Sequence, residues 1–396
     1  MPSSAPVRRY RAGLSAAALA AVLGGLLAPA QAVGAGPGGT GPAHDERLQK
    51  QLEQLVDLED GPPGVIAVLT KGKKAQVYTA GVGDLATGRK PHVDDHMRIA
   101  SIAKAFSGAV ALKLVDKKLL SLDDTIGEVL PEQPEDWHGV TLRQLLQHTS
   151  GLPDYSHSEA FLDILRADPR HVFDSRKLLD FVAEEPLLFQ PGRLYEYSNS
   201  DNIAVALMAE AVTGKRYEDL LKELVYRPLG LRRTSLPQGY RLPRPFLHGY
   251  DVSPPAAPED ISEAIGASGV WASGGIVSTP ADLGAFIRAY GGPAFLSKKT
   301  RKEQHAFRPG DSSEPAGPGT NAAGLALFQY TTRCGVLYGH TGNTPGYTQL
   351  AAATPDGTRS LTFTLNTQTS KSVKPALLAR LRTVQENFAC ALLKDH

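Results

Sequence analysis

The chain has almost no excess charge, only two cysteines, and no long apolar run after its first 32 residues. Its 396 residues carry 42 Lys+Arg against 41 Asp+Glu, a formal net charge of +1. That balance excludes the electrostatic footprint of a nucleic-acid binder. Cys334 and Cys390 are too few for a disulfide framework, and a chain this long needs none to bury a core. The histidines show no metal-ligand spacing and there is no H-E-x-x-H, so nothing points to a zinc site or to any other cofactor. A missing G-x-S-x-G argues against an α/β-hydrolase. A missing G-x-x-x-x-G-K-[ST] removes the phosphate loop. No repeat of 20–50 residues stands out. Glycine and proline are plentiful instead, 39 and 29 residues, above their usual ~12% share. They favour turns over coiled coils or long helical arrays. With 42% hydrophobic residues the chain is not disordered as a whole.

The first 32 residues read as a signal peptide. Arg8, Arg9 and Arg11 form a basic start, residues 12–28 are apolar and uncharged, and Ala30-Gln31-Ala32 fits a small-x-small cleavage site. The apolar run falls short of the ~20 residues that span a bilayer, so the expected product is secreted into the cell-wall space without stable membrane insertion. Removing 1–32 takes away three arginines and no acid, which turns +1 into −2. In an oxidising compartment Cys334 and Cys390 are expected to pair, closing a 57-residue loop between a strand and the last helix. Two buried thiols are the alternative.

Residues 33–44 form a Gly/Pro linker. Its Gly34-x-Gly36-x-x-Gly39 matches the dinucleotide fingerprint only by pattern, since no strand precedes it. Periodicity predicts a helix over 44–58 and strands over 65–70, 75–81, 335–339, 347–353 and 360–365. Helices are expected over 101–115, 141–148, 176–189, 199–212, 217–225, 280–290 and 373–393. Two strands at the front and three at the back predict an α/β fold. It has one antiparallel sheet of about five strands from both chain ends, flanked by helices, with an all-α region inserted. The expected domain, 45–396, divides into an α/β region, 45–100 plus 265–396, and a mainly helical region, 101–264.

Ser101-Ile-Ala-Lys104 places a hydroxyl and an amine at i and i+3, on one helix face. Serine is a weak nucleophile without a neighbouring base, and a desolvated lysine can serve as one. Such a pair arises about once by chance in a chain of this length. Two other triplets raise its weight. Tyr197-Ser198-Asn199 is the chain's one Y-x-N, just before an expected helix, and His340-Thr341-Gly342 is its one [KH]-T-G, ending an expected strand. Trp271-Ala-Ser273-Gly-Gly echoes a trypsin-type nucleophile segment, but no matching histidine segment exists.

At these triplets the sequence resembles the serine penicillin-recognising enzymes, in the branch of class C β-lactamases and D-alanyl-D-alanine carboxypeptidases. The segment 145–152, Leu-Leu-Gln-His-Thr-Ser-Gly-Leu, adds to the likeness, as do Pro191-Gly192 and Pro345-Gly346-Tyr347. It spans roughly 45–395. His340 in place of lysine, with the cysteine pair, is most similar to the secreted D-alanyl-D-alanine carboxypeptidase/transpeptidase subgroup. The resemblance implies an acyl-enzyme on Ser101, with Lys104 accepting its proton. Tyr197 would pass a proton to the leaving D-alanine, and His340 would shape the proton network. Asn199 would bond the substrate amide and Lys104, and Thr341 would meet the leaving group's carboxylate. The main chain of Ser101 and Asn343, beside Gly342, would form an oxyanion hole. Implied partners are peptidoglycan stem peptides or other acyl-D-amino-acid substrates, with β-lactams as inhibitors. Trp271 is a candidate for the cleft wall or the core, and His148 reads as a capping or packing residue.

One position departs from the pattern. Relatives that grip a free carboxylate carry an arginine on the strand before the cysteine, where this chain has Gly324-Leu-Ala326-Leu. An esterase, a β-lactamase or a D-amino-acid amidase on the same scaffold therefore stays open, as does a non-catalytic cell-wall-binding module.

Overall fold

The computed structural model describes residues 42–311, 315–371 and 374–394. The expected signal peptide lies outside the described residues, as does the linker up to residue 41. The first helix, α1 (Pro42–Val56), takes in the linker's last three positions. Its Leu48, Leu52 and Leu55 are buried on one face, at the helical spacing read from the sequence.

Eight strands form one antiparallel sheet. In chain order they are β1 (Gly64–Lys71), β2 (Lys74–Gly81), β3 (Arg308–Pro309), β4 (Thr320–Ala323), β5 (Phe328–Thr332), β6 (Gly335–Thr344), β7 (Tyr347–Ala353) and β8 (Arg359–Leu365). Across the sheet the order is β2-β1-β8-β7-β6-β5-β4-β3. β1 pairs with β2 on one side and with β8, from the far end of the chain, on the other, Val65 opposite Leu365. Covered on both faces, β1 reads as a nearly unbroken apolar run, whereas the edge strand β2 is polar and exposed over its first residues. All five expected strands are present. β3, β4 and β5 were not expected, because two or four residues, or five ending in Tyr-Thr-Thr, give too short a pattern.

The outer face of the sheet is covered by α1 and by the C-terminal helix α7 (Pro375–Leu393), whose Leu377, Leu381, Val384 and Phe388 meet Leu361, Phe363 and Leu365 of β8. The Cys334–Cys390 disulfide ties the β5–β6 turn to α7. On the inner face, Leu283, Phe286 and Ile287 of α6 (Pro280–Gly291) share a core with Ala351 and Ala353 of β7 and with the helical half. This cluster runs from Met97 to Ala353 without a break at residues 100 or 264, so the two expected regions are packed as one body.

Three helical elements carry the motifs. A 3₁₀ turn, Ala100–Ile102, leads into α2 (Ala103–Asp116), so the Ser101/Lys104 pair straddles their junction rather than lying on one regular helix. α3 (Leu142–Leu146) opens with a capping box, the Thr141 hydroxyl accepting from Gln144 N and the Gln144 side chain accepting from Thr141 N. α4 (Asn199–Thr213) is capped by Ser198 and closed by Gly214 in the left-handed conformation. The helix expected over 217–225 divides into α5 (Tyr217–Leu221) and a π-helical stretch Lys222–Tyr226, and the one expected over 176–189 is shorter, a 3₁₀ stretch Ser175–Val182. Pro186 beyond it cannot supply an N–H for further turns. No helix among the described residues is long and apolar enough to cross a membrane.

Candidate active site

Ser101 follows a left-handed residue in a 3₁₀ turn. Ala100 before it has φ +48°, a conformation that costs an L-residue about 1–3 kcal/mol and persists only under tertiary constraint. The constraint is β6. A Cβ on Gly342 would lie 2.3 Å from Ile99 O, so only glycine lets the strand approach the nucleophile turn this closely.

Lys104 is fully buried. Its Nζ donates to Asn199 Oδ1 at 2.7 Å and to Ser273 O at 2.9 Å, and it lies 3.3 Å from Ser101 Oγ. Burial lowers its pKa from 10.5 to about 7, only partly opposed by the charges of Asp154 and Asp201. A neutral amine has two hydrogens and one lone pair. The two carbonyl oxygens take the hydrogens, which directs the lone pair at Ser101 Oγ, as a general base requires.

Tyr197 lies beside this pair, Lys104 Nζ standing 4.9 Å from its ring centre. Asn199 begins α4. Its side-chain N–H₂ donates to Asp154 Oδ2 and Ser156 Oγ, both at 3.0 Å, and its main-chain N–H to Asp154 Oδ2 at 2.9 Å. With both side-chain hydrogens committed, Asn199 can donate to a substrate carbonyl only by exchanging Asp154 or Ser156, which the sequence reading did not foresee, while Oδ1 keeps a second lone pair beside its bond to Lys104.

The third triplet stays behind the cleft wall, a correction for Thr341 and Gly342, which were expected to bind substrate. Asn343 and Thr344, past its end, line the cleft with Ser101, Tyr197 and Asn199. His340 and Thr341 are buried below the surface, at 0% and 1% exposure, and do not line it. His340 Nδ1 donates to Thr341 O at 2.6 Å, and its Nε2 has no hydrogen-bond partner among the described residues. Burial depresses its pKa to about 3, with Lys104 and His148 contributing, so the imidazole is neutral at neutral pH. The Asn343 side chain is anchored away from substrate, to Thr369 O and the Thr348 hydroxyl.

Trp271 is a correction. It is fully buried, its Nε1 donating to Glu218 at 3.0 Å and its ring packed edge-on to Tyr217. The indole's polar partner lies on the core side, and the wall is built by its neighbours Val270, Ser273 and Gly274.

The cleft measures about 550 Å³. Neither lysine nor arginine lines it, and Asp154 is the carboxylate on its wall. Ala326, where an arginine was sought, is buried with φ +50°, its N–H bonded to Leu146 O and its Cβ against Gly108. Arg333 pairs with Glu386 of α7. Asp154, Ser156 and the carbonyl of Ser273 are site groups that the sequence reading missed. The signal for Asp154 was its place as the N-cap of Tyr155–His157, directly after the 145–152 segment. No group of His, Cys, Asp or Glu among the described residues could hold a metal ion.

Residues 46–385 match the family model described as Beta-lactamase. The chain is 24% identical over 327 residues to penicillin-binding protein 4* of Bacillus subtilis (strain 168), covering 80% of this chain and 70% of that protein. It is 33% identical over 190 residues to a D-aminopeptidase of Brucella anthropi, covering 48% of this chain and only 35% of that one, so it spans about a third of that relative's length. Among solved structures, a D-stereospecific amidohydrolase from Streptomyces sp. superposes with a TM-score of 0.73 at 28% identity, over 85% of this chain and 98% of that one. The D-amino acid amidase from Ochrobactrum anthropi SV3 gives 0.76 at 25% identity, over 88% and 98%.

Proposed function

The chain belongs to the beta-lactamase family of serine hydrolases, and on that premise we propose that it cleaves amide bonds formed by D-amino acids through an acyl-enzyme on Ser101. The observation that carries this reading is the buried Lys104, held by two carbonyl acceptors with its Nζ 3.3 Å from Ser101 Oγ. Neutral Lys104 takes the serine proton as Oγ attacks the carbonyl carbon. The main-chain N–H groups of Ser101 and Asn343 receive the oxyanion, each donor contributing about 3–4 kcal/mol. As the C–N bond breaks, the Tyr197 phenol protonates the leaving nitrogen and regains a proton from the Lys104 ammonium. Water then attacks the ester, giving its proton to Tyr197 as the phenol passes its own to neutral Lys104, and that proton returns to Ser101 Oγ as the ester C–O bond breaks. His340, neutral where many relatives carry lysine, leaves a single cation in the pocket once Lys104 is protonated.

For the substrate, the motif resemblance favours peptidoglycan stem peptides ending in D-alanyl-D-alanine, with β-lactams as acylating inhibitors and the enzyme exported to the cell-wall space. A second reading, a D-aminopeptidase or D-amino-acid amidase, is favoured by the cleft itself. Neither lysine nor arginine lines it to hold a free carboxylate, and Asp154 suits an ammonium-bearing substrate better. Relatives named for that activity carry the same fold. Fluorescent penicillin followed by intact-mass measurement should give one adduct that is absent in Ser101→Ala. An unmodified wild type refutes the acyl-enzyme. Turnover of an N-acyl-D-Ala-D-Ala peptide, a D-amino-acid amide, a p-nitrophenyl ester and nitrocefin then ranks the substrates. Binding of muropeptides without any turnover would identify a non-catalytic module instead.

A further inference from the structure

Beneath Tyr197 lies a second set of ionisable groups that the acyl-transfer steps do not use. His148, 3% exposed, has Nδ1 2.7 Å from Oδ2 of the fully buried Asp201. The Ser150 hydroxyl donates to the other carboxylate oxygen at 2.5 Å, and itself accepts from Leu152 N at 3.0 Å. The His148 ring lies against Tyr197, centroids 4.4 Å apart and planes inclined by 34°, with Tyr195 edge-on at 6.2 Å. The main chain grips the same segment, Glu196 N–H donating to His148 O at 2.9 Å.

Residue 148 reaches this place because its backbone turns left-handed, φ +54°, just past the end of α3. An ordinary helical continuation would send the ring elsewhere, and the strain of a non-glycine residue here marks a position held by its surroundings. Asp201 stands in the first turn of α4, two residues after Asn199, which holds Lys104. One hydrogen-bonded pair therefore joins the turn after α3, which packs on Tyr197, to the helix that orients the base.

We propose that His148, held by Asp201, is a positioning residue that fixes the Tyr197 phenol for proton delivery to the leaving nitrogen. The inference rests on the role given to Tyr197 above. In that step the C–N bond breaks, the phenolic proton goes to nitrogen, and the phenolate recovers the proton that Lys104 took from Ser101. An amide cannot leave without that proton. A p-nitrophenolate leaves without it, so the two leaving groups separate phenol placement from everything else in the site. Burial holds the His148 imidazole in its singly protonated form, its pKa depressed to about 3 with help from the Lys104 charge, so the ring stays a neutral surface for the phenol.

His148→Asn tests this, because asparagine tolerates the left-handed backbone and can still bond Asp201 but has no ring for Tyr197. The substrates are a D-aminoacyl amide and the p-nitrophenyl ester of the same acyl group. General-acid assistance is worth about 10²–10⁴-fold. The acylation step, read as kcat/KM, should fall by about 100-fold for the amide and by less than about 3-fold for the ester, because deacylation of the shared acyl-enzyme lies outside both ratios. Retained ester turnover also reports a folded Ser101–Lys104 centre. If His148→Asn does not fold, Asp201→Asn, equal in volume, carries the same comparison with the same expected direction. Loss of both activities in equal proportion overturns the inference and leaves the acyl-enzyme standing. A wild type that is neither labelled at Ser101 nor active on either substrate overturns the acyl-enzyme reading and this inference with it.

Discussion

Replacing Lys104 by methionine should make the protein inactive and change how its stability depends on pH. In the fold Lys104 is fully buried, and burial brings its pKa from 10.5 to about 7. Below pH 7 both the folded and the unfolded chain carry the proton, and the fold bears the whole cost of a desolvated ammonium. Between pH 7 and 10.5 the unfolded chain still holds a proton that the folded one has released, so stability rises with pH across that window. Above 10.5 neither state holds it and the penalty is gone. At about 1.4 kcal/mol per pH unit the full span amounts to about 5 kcal/mol, of which about 3 falls between pH 7 and 9. Methionine has no such proton. Urea unfolding of wild type and Lys104→Met at pH 6, 7, 8 and 9, at fixed ionic strength, gives the difference directly. Lost hydrogen bonds to Asn199 and Ser273 shift the variant by a constant amount and drop out of the pH dependence. Wild type should gain about 3 kcal/mol on the variant from pH 7 to 9, and its acylation rate should show an acid limb near pH 7. A difference that stays within about 0.5 kcal/mol over that range would mean that the folded protein keeps Lys104 charged, and a charged lysine cannot deprotonate Ser101.

Two further outcomes follow from other parts of the site. Gly342→Ala puts a methyl where Ile99 O stands 2.3 Å away, which demands a shift of about 1 Å between β6 and the nucleophile turn. Acylation of Ser101 by penicillin should slow by about 100-fold, with about 1–3 kcal/mol of stability lost, and stopped-flow labelling within 3-fold of wild type would contradict the close-approach argument. Cys334→Ser with Cys390→Ser releases a loop with a sequence separation of 56, for which chain entropy gives about 4 kcal/mol, or a fall of about 5 °C in Tm for a domain of this size. Because the bridge holds α7 on the outer face of the sheet, penicillin labelling at 25 °C should survive, and its loss would tie the clip to the site itself.

The groups that could be read from sequence are those whose chemistry is local. Ser101 and Lys104 are one turn apart, and Tyr197 and Asn199 flank the cap of α4, so their spacing already implies their proximity. Asp154 and Ser156 reach Asn199 across more than 40 residues, and the second acceptor on Lys104 is the main-chain carbonyl of Ser273, which no side-chain pattern encodes. His148 reads from the sequence as a capping or packing residue and does pack, but its partner Tyr197 was not legible, since a left-handed turn leaves no mark in periodicity. Trp271 stood open between cleft wall and core, and the structure places it in the core with its indole N–H on Glu218. The sheet core was legible because β1, β7 and β8 are long and apolar. The short strands β3 and β4 take their order from neighbours rather than from their own side chains.

The pairing of β1 with β8 bears on how the chain reaches this state. Val65 lies opposite Leu365, 300 positions away, and joining them costs about 5 kcal/mol in loop entropy before any contact repays it. The hairpin of β1 and β2 can form early and locally, but one side of β1 stays open, with Val65, Ile66, Ala67, Val68 and Leu69 presented to water or to another chain. Closure waits for the last strand to be made. The folding rate should therefore be slow for the size of the chain, and a truncation before residue 359 would yield an unpaired apolar edge prone to aggregate rather than a smaller enzyme.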